Sequence, residues 1–289
     1  MKKIQGRLSA LLLAAAMLGS TSAFAEGSAP VAENLELRTY RNVSVGGRLS
    51  AFDAEDDVVS YTITTDPVKG SIELEENGCF VYTPKENKRG RDYFGYKAVD
   101  SEGNLSQEAT VIIRIEKQKK PVVYSDLEGQ ACAAAAVTLS EQGIYTGAKL
   151  GTVYCFQPNM PVSRGEFLAM CVHLKGYEPI ASALRSGYRD DDAVPAWVRG
   201  CAAAARLHNT APVCTALRSQ EPIGIEDAAA WLNAVLELSD VRYECGDPSQ
   251  SQAVRNLNAR GIPVPVGSRI LTREEAAEML AAALDHQQA

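Results

Sequence analysis

The feature that most constrains this chain is a helical pattern that occurs three times in its C-terminal half. In each copy, apolar residues recur at positions i, i+3, i+4 and i+7, which places four side chains on one face of an α-helix. The copies are Phe167, Met170, Cys171 and Leu174; Ala228, Trp231, Leu232 and Val235; and Ala276, Met279, Leu280 and Ala283. A triplicated helical unit predicts stacked repeats that share one core.

In two of these helices the sequence indicates where the N-terminus lies. Ser163 with Glu166, and Thr272 with Glu275, fit the capping box, in which two side chains satisfy the first backbone N–H groups. The pattern therefore predicts helix capping as one role of these four residues.

An arginine follows the cap in the same two copies, as Arg164 and Arg273. A helix N-terminus attracts anions through its free N–H groups, and a guanidinium beside them would complete an anion pocket. We expect both arginines to be exposed at the first helical turn. The alternatives are a solvated arginine or an ion pair to a neighbouring repeat, and the spacing alone does not choose between them.

Residues 1–25 have the form of a secretory signal peptide. Lys2 and Lys3 precede an apolar run over residues 8–18, and Ala-Phe-Ala at 23–25 suits a cleavage site. We expect cleavage before Glu26 and an exported chain without a transmembrane segment. Cleavage removes three basic residues and no acid, so the net charge moves from −7 to −10. An acidic chain of this kind is not expected to bind nucleic acid.

The chain has seven cysteines, an odd number, so at least one thiol is free or pairs between chains. There is no C-x-x-C motif and the histidines are scattered, which argues against zinc. Cys171 lies on the apolar helix face, where a buried thiol is expected. Export permits disulfides. Cys201–Cys214 is the preferred pair, and the alternative is that all seven are reduced.

The composition of residues 30–117 is typical of a β-domain. Runs rich in β-branched and aromatic residues occur at 58–64, 79–83 and 109–115, and turn signals separate them. Short strands at this spacing predict a small β-sandwich.

Three stretches of this domain carry a resemblance: AFDAEDDVVSYTI from Ala51, KGSIELEENGCFVYTP from Lys69 and RGRDYFGYKAVDSEGNLS from Arg89. Together they resemble the bacterial cadherin-like or Ig-like domains of exported adhesion and cell-wall proteins. Members of that class sometimes bind calcium, a cation that prefers oxygen ligands. The candidate ligands are Asp53, Asp56, Asp57 and Asp100. The alternative is a solvated acidic loop.

A charged segment at 117–121 separates this domain from the helical half, and we expect the two halves to melt separately. The helical half divides into a first repeat over 122–181, a second over 182–240 and a third over 241–289.

The first repeat presents its landmarks in a fixed order: a helix, a Gly-Ile stop at 143–144, Phe-Gln-Pro at 156–158 and the capped helix at Ser163. This order resembles the S-layer homology (SLH) module. The third repeat lacks Phe-x-Pro, and the second is degenerate, with Ile225 where arginine belongs. Trp197 of the second repeat matches a tryptophan common in that family, and the alternative role for it is core packing. The first repeat has Ala131 near that position.

The resemblance implies a pseudo-threefold helical array with grooves between repeats. It also implies non-covalent binding of a secondary cell-wall polysaccharide, commonly through the carboxylate of a pyruvylated sugar that meets the motif arginine. The implied binding residues are Arg164, Arg273, Ser163, Thr272 and Trp197.

The expected fold is therefore multidomain, an all-β Ig/cadherin-like sandwich followed by an all-α pseudo-threefold array of three SLH repeats. The expected function is attachment of an exported protein to the bacterial cell wall or S-layer, with the sandwich displayed as an adhesion or spacer domain. The alternative is a surface protein–protein interaction module that no longer binds glycan. An enzyme is not expected, because no nucleophile motif, metal cluster or phosphate loop is present, and no cofactor is expected apart from calcium.

Overall fold

The computed structural model describes residues 27–212, 214–239, 251–267 and 269–288. The expected signal peptide, its cleavage site before Glu26, and Cys245 lie outside these residues. The strands are β1 (Val31–Ala32), β2 (Leu35–Tyr40), β3 (Val45–Arg48), β4 (Ala51–Phe52), β5 (Val58–Thr65), β6 (Gly70–Leu74), β7 (Cys79–Pro84), β8 (Gly90–Asp100), β9 (Ala109–Glu116), β10 (Ala148–Leu150) and β11 (Val153–Cys155). The helices are α1 (Ala133–Glu141), α2 (Arg164–Leu174), α3 (Ala196–Leu207), α4 (Ile225–Val235), α5 (Gln252–Asn258) and α6 (Arg273–Gln288).

The N-terminal half is a β-sandwich. One sheet has the order β2-β9-β8-β5 and the other the order β3-β7-β6, and the pairs are antiparallel except for β2 with β9. Aromatic side chains fill the space between the sheets, where Phe80 meets Phe94 edge-on with ring centroids 5.3 Å apart. The three runs predicted as strands are β5, β7 and β9, so the predicted β-sandwich is confirmed.

The C-terminal half is helical, and its three apolar stripes are buried as predicted: none of the twelve side chains is more than 7% exposed. Helices of different repeats pack together. α3 lies on α2, α5 lies on α4, and α1 lies on α6. The first helix of each repeat therefore packs on the second helix of the preceding repeat, and α6 closes the circle back to α1.

Three buried residues form backbone hydrogen bonds to one another at the centre of this circle. The N–H of Val162 donates to the carbonyl of Leu271 (3.0 Å), Leu271 to Ile223 (3.0 Å), and Ile223 back to Val162 (2.9 Å). Each of the three lies two residues before its helix, and each is fully buried. This closed cycle satisfies buried backbone groups and places the N-termini of α2, α4 and α6 around one axis.

The two halves touch directly as well as through the linker. The N–H of Gly46 in β3 donates to the carbonyl of Ala131 (2.9 Å), and the N–H of Ala134 donates to that of Ser44 (3.1 Å). The start of α1 thereby covers the open edge of β3, an edge that would otherwise be free to pair with another chain. This packed contact favours coupled unfolding over the separate melting expected from the linker.

The expected Cys201–Cys214 disulfide is absent, because both residues are free thiols. The six cysteines among the described residues are all unpaired. Cys201 is buried within α3, and Cys171 is 1% exposed, which confirms its expected place in the core.

Candidate anion-binding junctions and acidic cluster

The loops before α2 and α4 are built in the same way. The carboxylate of Asp126 accepts the N–H groups of residues 156 and 157 (3.0 and 2.7 Å), and that of Asp190 accepts those of residues 217 and 218 (2.8 and 2.7 Å). Burial raises the pKa of Asp126, but these N–H donors outweigh it and hold that pKa below its ordinary value. The second repeat thus keeps the loop of the first despite its weak sequence match.

The predicted helix caps are confirmed. The Ser163 hydroxyl accepts the N–H of Glu166 (3.2 Å), and the Glu166 carboxylate accepts the N–H of Ser163 (2.9 Å). Thr272 and Glu275 form the same reciprocal pair, at 3.4 and 3.0 Å. Gly224 precedes α4 and has no side chain to cap it.

The first N–H groups of these helices are not free for an anion. Each donates to a carbonyl of another repeat: Arg164 to Glu221 (2.8 Å), Gly165 to Ser219 (2.9 Å), Ile225 to Arg269 (3.1 Å), Arg273 to Met160 (2.9 Å) and Glu274 to Pro158 (3.0 Å). The expectation that free N–H groups line the anion pocket is therefore wrong, because interlocking of the repeats uses them.

Arg164 is buried in the junction between the first and second repeats. Its side chain is 7% exposed and forms an ion pair with Asp227 at the first turn of α4. Its Nε donates to the carbonyl of Leu217 (2.8 Å), and its guanidinium carbon lies 4.7 Å from the ring centroid of Trp231. The expected exposure of Arg164 is wrong, and the ion pair to a neighbouring repeat is what the structure shows.

Arg273 occupies the equivalent place between the third and first repeats and is held less tightly. Its side chain is 14% exposed, so its expected exposure is also wrong. Nitrogen–oxygen distances are 2.8 Å to the Gln157 amide, 3.3 Å to the Phe156 carbonyl and 3.3 Å to the Glu166 carboxylate. Its Nε is buried without a hydrogen-bond partner among the described residues. The ring of Tyr145 lies 5.7 Å away.

The third junction uses a different arginine. Ile225 is 1% exposed at the position where the other helices have arginine, and Glu275 instead pairs with Arg269 of its own repeat. Burial raises the pKa of Glu275, but Arg269 and Thr272 together hold it below its ordinary value. Each of the three helices thus carries a first-turn carboxylate paired with an arginine: Glu166 with Arg273, Asp227 with Arg164, and Glu275 with Arg269.

The sequence alone does not single out Asp227, Tyr145 and Arg269 as residues of these junctions, and it places Trp231 only on the buried helix face. Asp227 could have been found, since it aligns with Glu166 and Glu275. Tyr145 and Arg269 come from positions outside the repeat motif, whereas Trp231 aligns with Met170 and Met279 and has a larger side chain than either.

Trp197 lies at the first turn of α3 and is 53% exposed, so core packing is not its role. The next residue, Val198, is fully buried against Gly165 at the start of α2. Trp197 therefore stands beside the junction that contains Arg164. Ala131, at the matching position of the first repeat, packs on Gly46 instead.

Three carboxylates of the sandwich converge at one end of β8. Oxygens of Asp53, Asp57 and Asp100 lie within 4.8 Å of one another. Asp53 is 7% exposed, and its Oδ2 has no hydrogen-bond partner in the described part of the chain. Burial and the neighbouring Asp57 raise the pKa of Asp53. Asp56, also expected as a ligand, is exposed and outside this group. An oxygen set with an unsatisfied buried member suits a hard divalent cation.

Residues 27–117 match the family model described as the bacterial cadherin-like domain. This match covers the sandwich and less than half of the chain, and the six described helices all lie after it. No curated protein matches the chain.

Several solved structures are similar to a part of the chain, each with a low TM-score. The endo-fucoidan hydrolase MfFcnA4 from glycoside hydrolase family 107 is 18% identical with a TM-score of 0.26, over 32% of this chain and 14% of the hydrolase. A mutant of the SrpA adhesin from Streptococcus sanguinis is 14% identical with a TM-score of 0.25, over 32% of this chain and 58% of the adhesin. Drosophila N-cadherin EC1-4 is 14% identical with a TM-score of 0.24, over 34% of this chain and 29% of the cadherin. Within the described residues, no helix combines the length and the apolar character needed to cross a membrane.

Proposed function

We propose that this is an exported cell-envelope protein whose helical array binds an anionic wall polysaccharide and whose cadherin-like sandwich is displayed as an adhesion or spacer domain. The circular packing of the helix pairs supports this proposal, since it agrees with the array that the SLH resemblance implies. The matched cadherin-like domain supports a place outside the cell.

The observation that carries the proposal is the state of Arg273. Its guanidinium is only partly satisfied, with two contacts at 3.3 Å and an unpartnered Nε. A carboxylate can accept two hydrogen bonds from such a planar fork. Tyr145 and Gln157 lie beside it and would offer a ring face and an amide to a sugar.

The other two junctions are not proposed as glycan sites. Arg164 is already neutralised by Asp227 and covered by Trp231, and Ile225 has no charge. We therefore propose one working groove, between the third and first repeats, rather than the two expected from the motif. The caps at Ser163 and Thr272 then hold the ends of the helices, and Trp197, beside the Arg164 junction, is not part of the proposed groove.

Co-sedimentation with purified wall sacculi, with and without extraction of the secondary polymer, tests this function. We expect the protein to bind intact sacculi and to lose binding after extraction. Arg273→Gln should weaken binding by one to two decades, because one charge-assisted contact contributes about 1.5–3 kcal/mol. Arg218→Gln is the matched control, since Arg218 is exposed in the equivalent loop of the second repeat.

At two of the three junctions the motif position offers no unpaired charge, since Arg164 is paired with Asp227 and Ile225 is apolar. This favours the alternative, a protein–protein interaction module that no longer binds glycan. If Arg273→Gln binds sacculi as well as the parent does, the glycan function fails and the alternative replaces it.

The acidic cluster supports a second role, binding of a divalent cation such as calcium by Asp53, Asp57 and Asp100. When bound, the cation would offset two of the three carboxylate charges and satisfy the free oxygen of Asp53. Gly27 and Ser28 bond to Glu102 and Glu55 in the two loops that carry these aspartates. The site therefore lies where the chain enters the sandwich.

A further inference from the structure

The junction between the sandwich and the helical array contains a cleft of about 530 Å³. One wall comes from the β2–β3 turn and the end of β7. The other comes from residues 122–129 and α1. The floor is largely apolar, with Leu127 and Val137 nearly fully buried and Val43 half-buried beside them.

Arg41 is a cation without a partner in this cleft. Its side chain is mostly buried and lines the cleft, and its Nε is buried without a hydrogen-bond partner. Among the described residues, no carboxylate forms an ion pair with its guanidinium and no acceptor bonds to it. The buried atom is the Nε, and a buried polar group without a partner is costly and uncommon. A carboxylate bound in the cleft would supply the guanidinium with a charge-assisted partner.

The turn that carries Arg41 is held rigidly. The N–H of Arg41 donates to the carbonyl of Glu116 (2.8 Å), the Thr39 hydroxyl donates to the carbonyl of Val43 (2.6 Å), and the N–H of Asn87 donates to the Asn42 side chain (2.7 Å). Asn42 takes a left-handed backbone with φ of 59°, which asparagine tolerates better than most residues. Ligand binding to the guanidinium therefore does not require a mobile loop to become ordered, and that entropy cost is avoided.

We propose that this cleft binds a single carboxylate carried on an aliphatic body, with the carboxylate on Arg41 and the body on the apolar floor. Glu86 and Glu128 are exposed and also line the cleft. Their negative charge disfavours a polyanion, so the cleft is not a second site for the acidic wall polymer. Two sources have the required chemistry, the C-terminal residue of an apolar peptide and a medium-chain fatty acid.

Titration of the protein with N-acetyl-leucine, octanoate and N-acetyl-leucinamide, followed by NMR, tests the proposal. We expect saturable binding of at least one acid and at least tenfold weaker binding of the amide, because the amide removes the charge-assisted contact. Tighter binding of N-acetyl-leucine identifies a peptide C-terminus, and tighter binding of octanoate identifies a fatty acid.

Arg41→Gln should weaken binding of the preferred acid at least tenfold, and Arg41→Lys, which keeps the charge, should weaken it less. Arg48→Gln is the matched control, because Arg48 is exposed in a different cleft between the same two halves, and it should bind as the parent does. The absence of saturable binding, equal binding of acid and amide, or parent-like binding by both Arg41 variants would overturn the proposal. None of these results affects the sacculus experiment, which depends on Arg273.

Discussion

Arg164 and Asp227 form an ion pair that joins the first repeat to the second, and it consumes the arginine that the sequence motif marks as a ligand-binding residue. Arg164 is 7% exposed in this pair, whereas Asp227 is 55% exposed. The charged side chain of Arg164 is thus buried, whereas the Asp227 carboxylate that pairs with it remains in contact with water. Arg273, at the same motif position, lies 3.3 Å from the Glu166 carboxylate, and its Nε has no partner among the described residues. We therefore interpret Arg164 as structural and Arg273 as a candidate binding residue.

Arg164→Ala should destabilise the protein rather than change wall binding alone. The substitution leaves the Leu217 carbonyl without its donor and removes packing on Trp231, and loss of a buried pair is strongly unfavourable. Because Asp227 remains hydrated, we expect a loss of about 1–3 kcal/mol in the free energy of unfolding, measured by urea denaturation. Arg218→Ala, which removes an exposed ion pair, should change it by less than about 0.5 kcal/mol.

Gly46→Ala should weaken the contact between the two halves. A Cβ at this position would lie 2.6 Å from the Cβ of Ala131, so the edge of β3 and the start of α1 would have to separate. We expect a loss of about 1–3 kcal/mol and, in calorimetry, a single transition in the parent that broadens or splits in the variant. Gly224→Ser is the control, since nothing lies within 4 Å of a Cβ there and serine is a favoured cap. Two transitions in the parent would show that the halves unfold separately after all.

Calcium should raise the melting temperature of the protein if Asp53, Asp57 and Asp100 bind it, because a ligand of the folded state adds to stability by mass action. At a concentration about 100-fold above its Kd the gain is about 2.7 kcal/mol. Asp53→Asn should abolish most of the shift. Asp56→Asn should preserve it, since Asp56 lies outside the cluster. A parent protein that melts identically with calcium and with chelator would contradict the site.

Stability should rise as the pH falls through the range in which Glu278 becomes protonated. Removal from water, together with the carboxylates of Glu274 and Glu275, raises the pKa of Glu278 to about 7 from 4.5. The folded state therefore binds this proton more tightly than the unfolded state, so stability increases between about pH 7 and pH 4.5.

Glu278→Gln should accordingly stabilise the protein at pH 8 and reduce this pH dependence. The gain should be at most about 1 kcal/mol, because Glu278 is exposed and water screens its repulsion with Glu274 and Glu275. Melting curves at several pH values measure it, with Glu76→Gln, an exposed residue in a turn, as the control. A Glu278→Gln variant with the pH profile of the parent would refute the assignment.

The sequence alone predicted three strands, three helices and the caps of two of those helices. The alternation of β-branched and aromatic residues predicted β5, β7 and β9, and the 3.6-residue periodicity predicted α2, α4 and α6 with their buried faces. These properties are local, since periodicity and capping depend on residues a few positions apart. The capping pairs at Ser163 and Thr272 formed as predicted for the same reason.

Tertiary structure alone decided what the arginines and the first N–H groups do. Interlocking of the repeats brings the carbonyls of Glu221 and Met160 onto the helix N-termini and brings Asp227 onto Arg164. These partners lie about 50 to more than 100 positions apart in the chain. No local pattern specifies them, because they depend on how one repeat packs on the next. The same holds for Ala131 against Gly46, where the methyl group of Ala131 fits only because Gly46 has no side chain, and neither segment reveals this contact by itself.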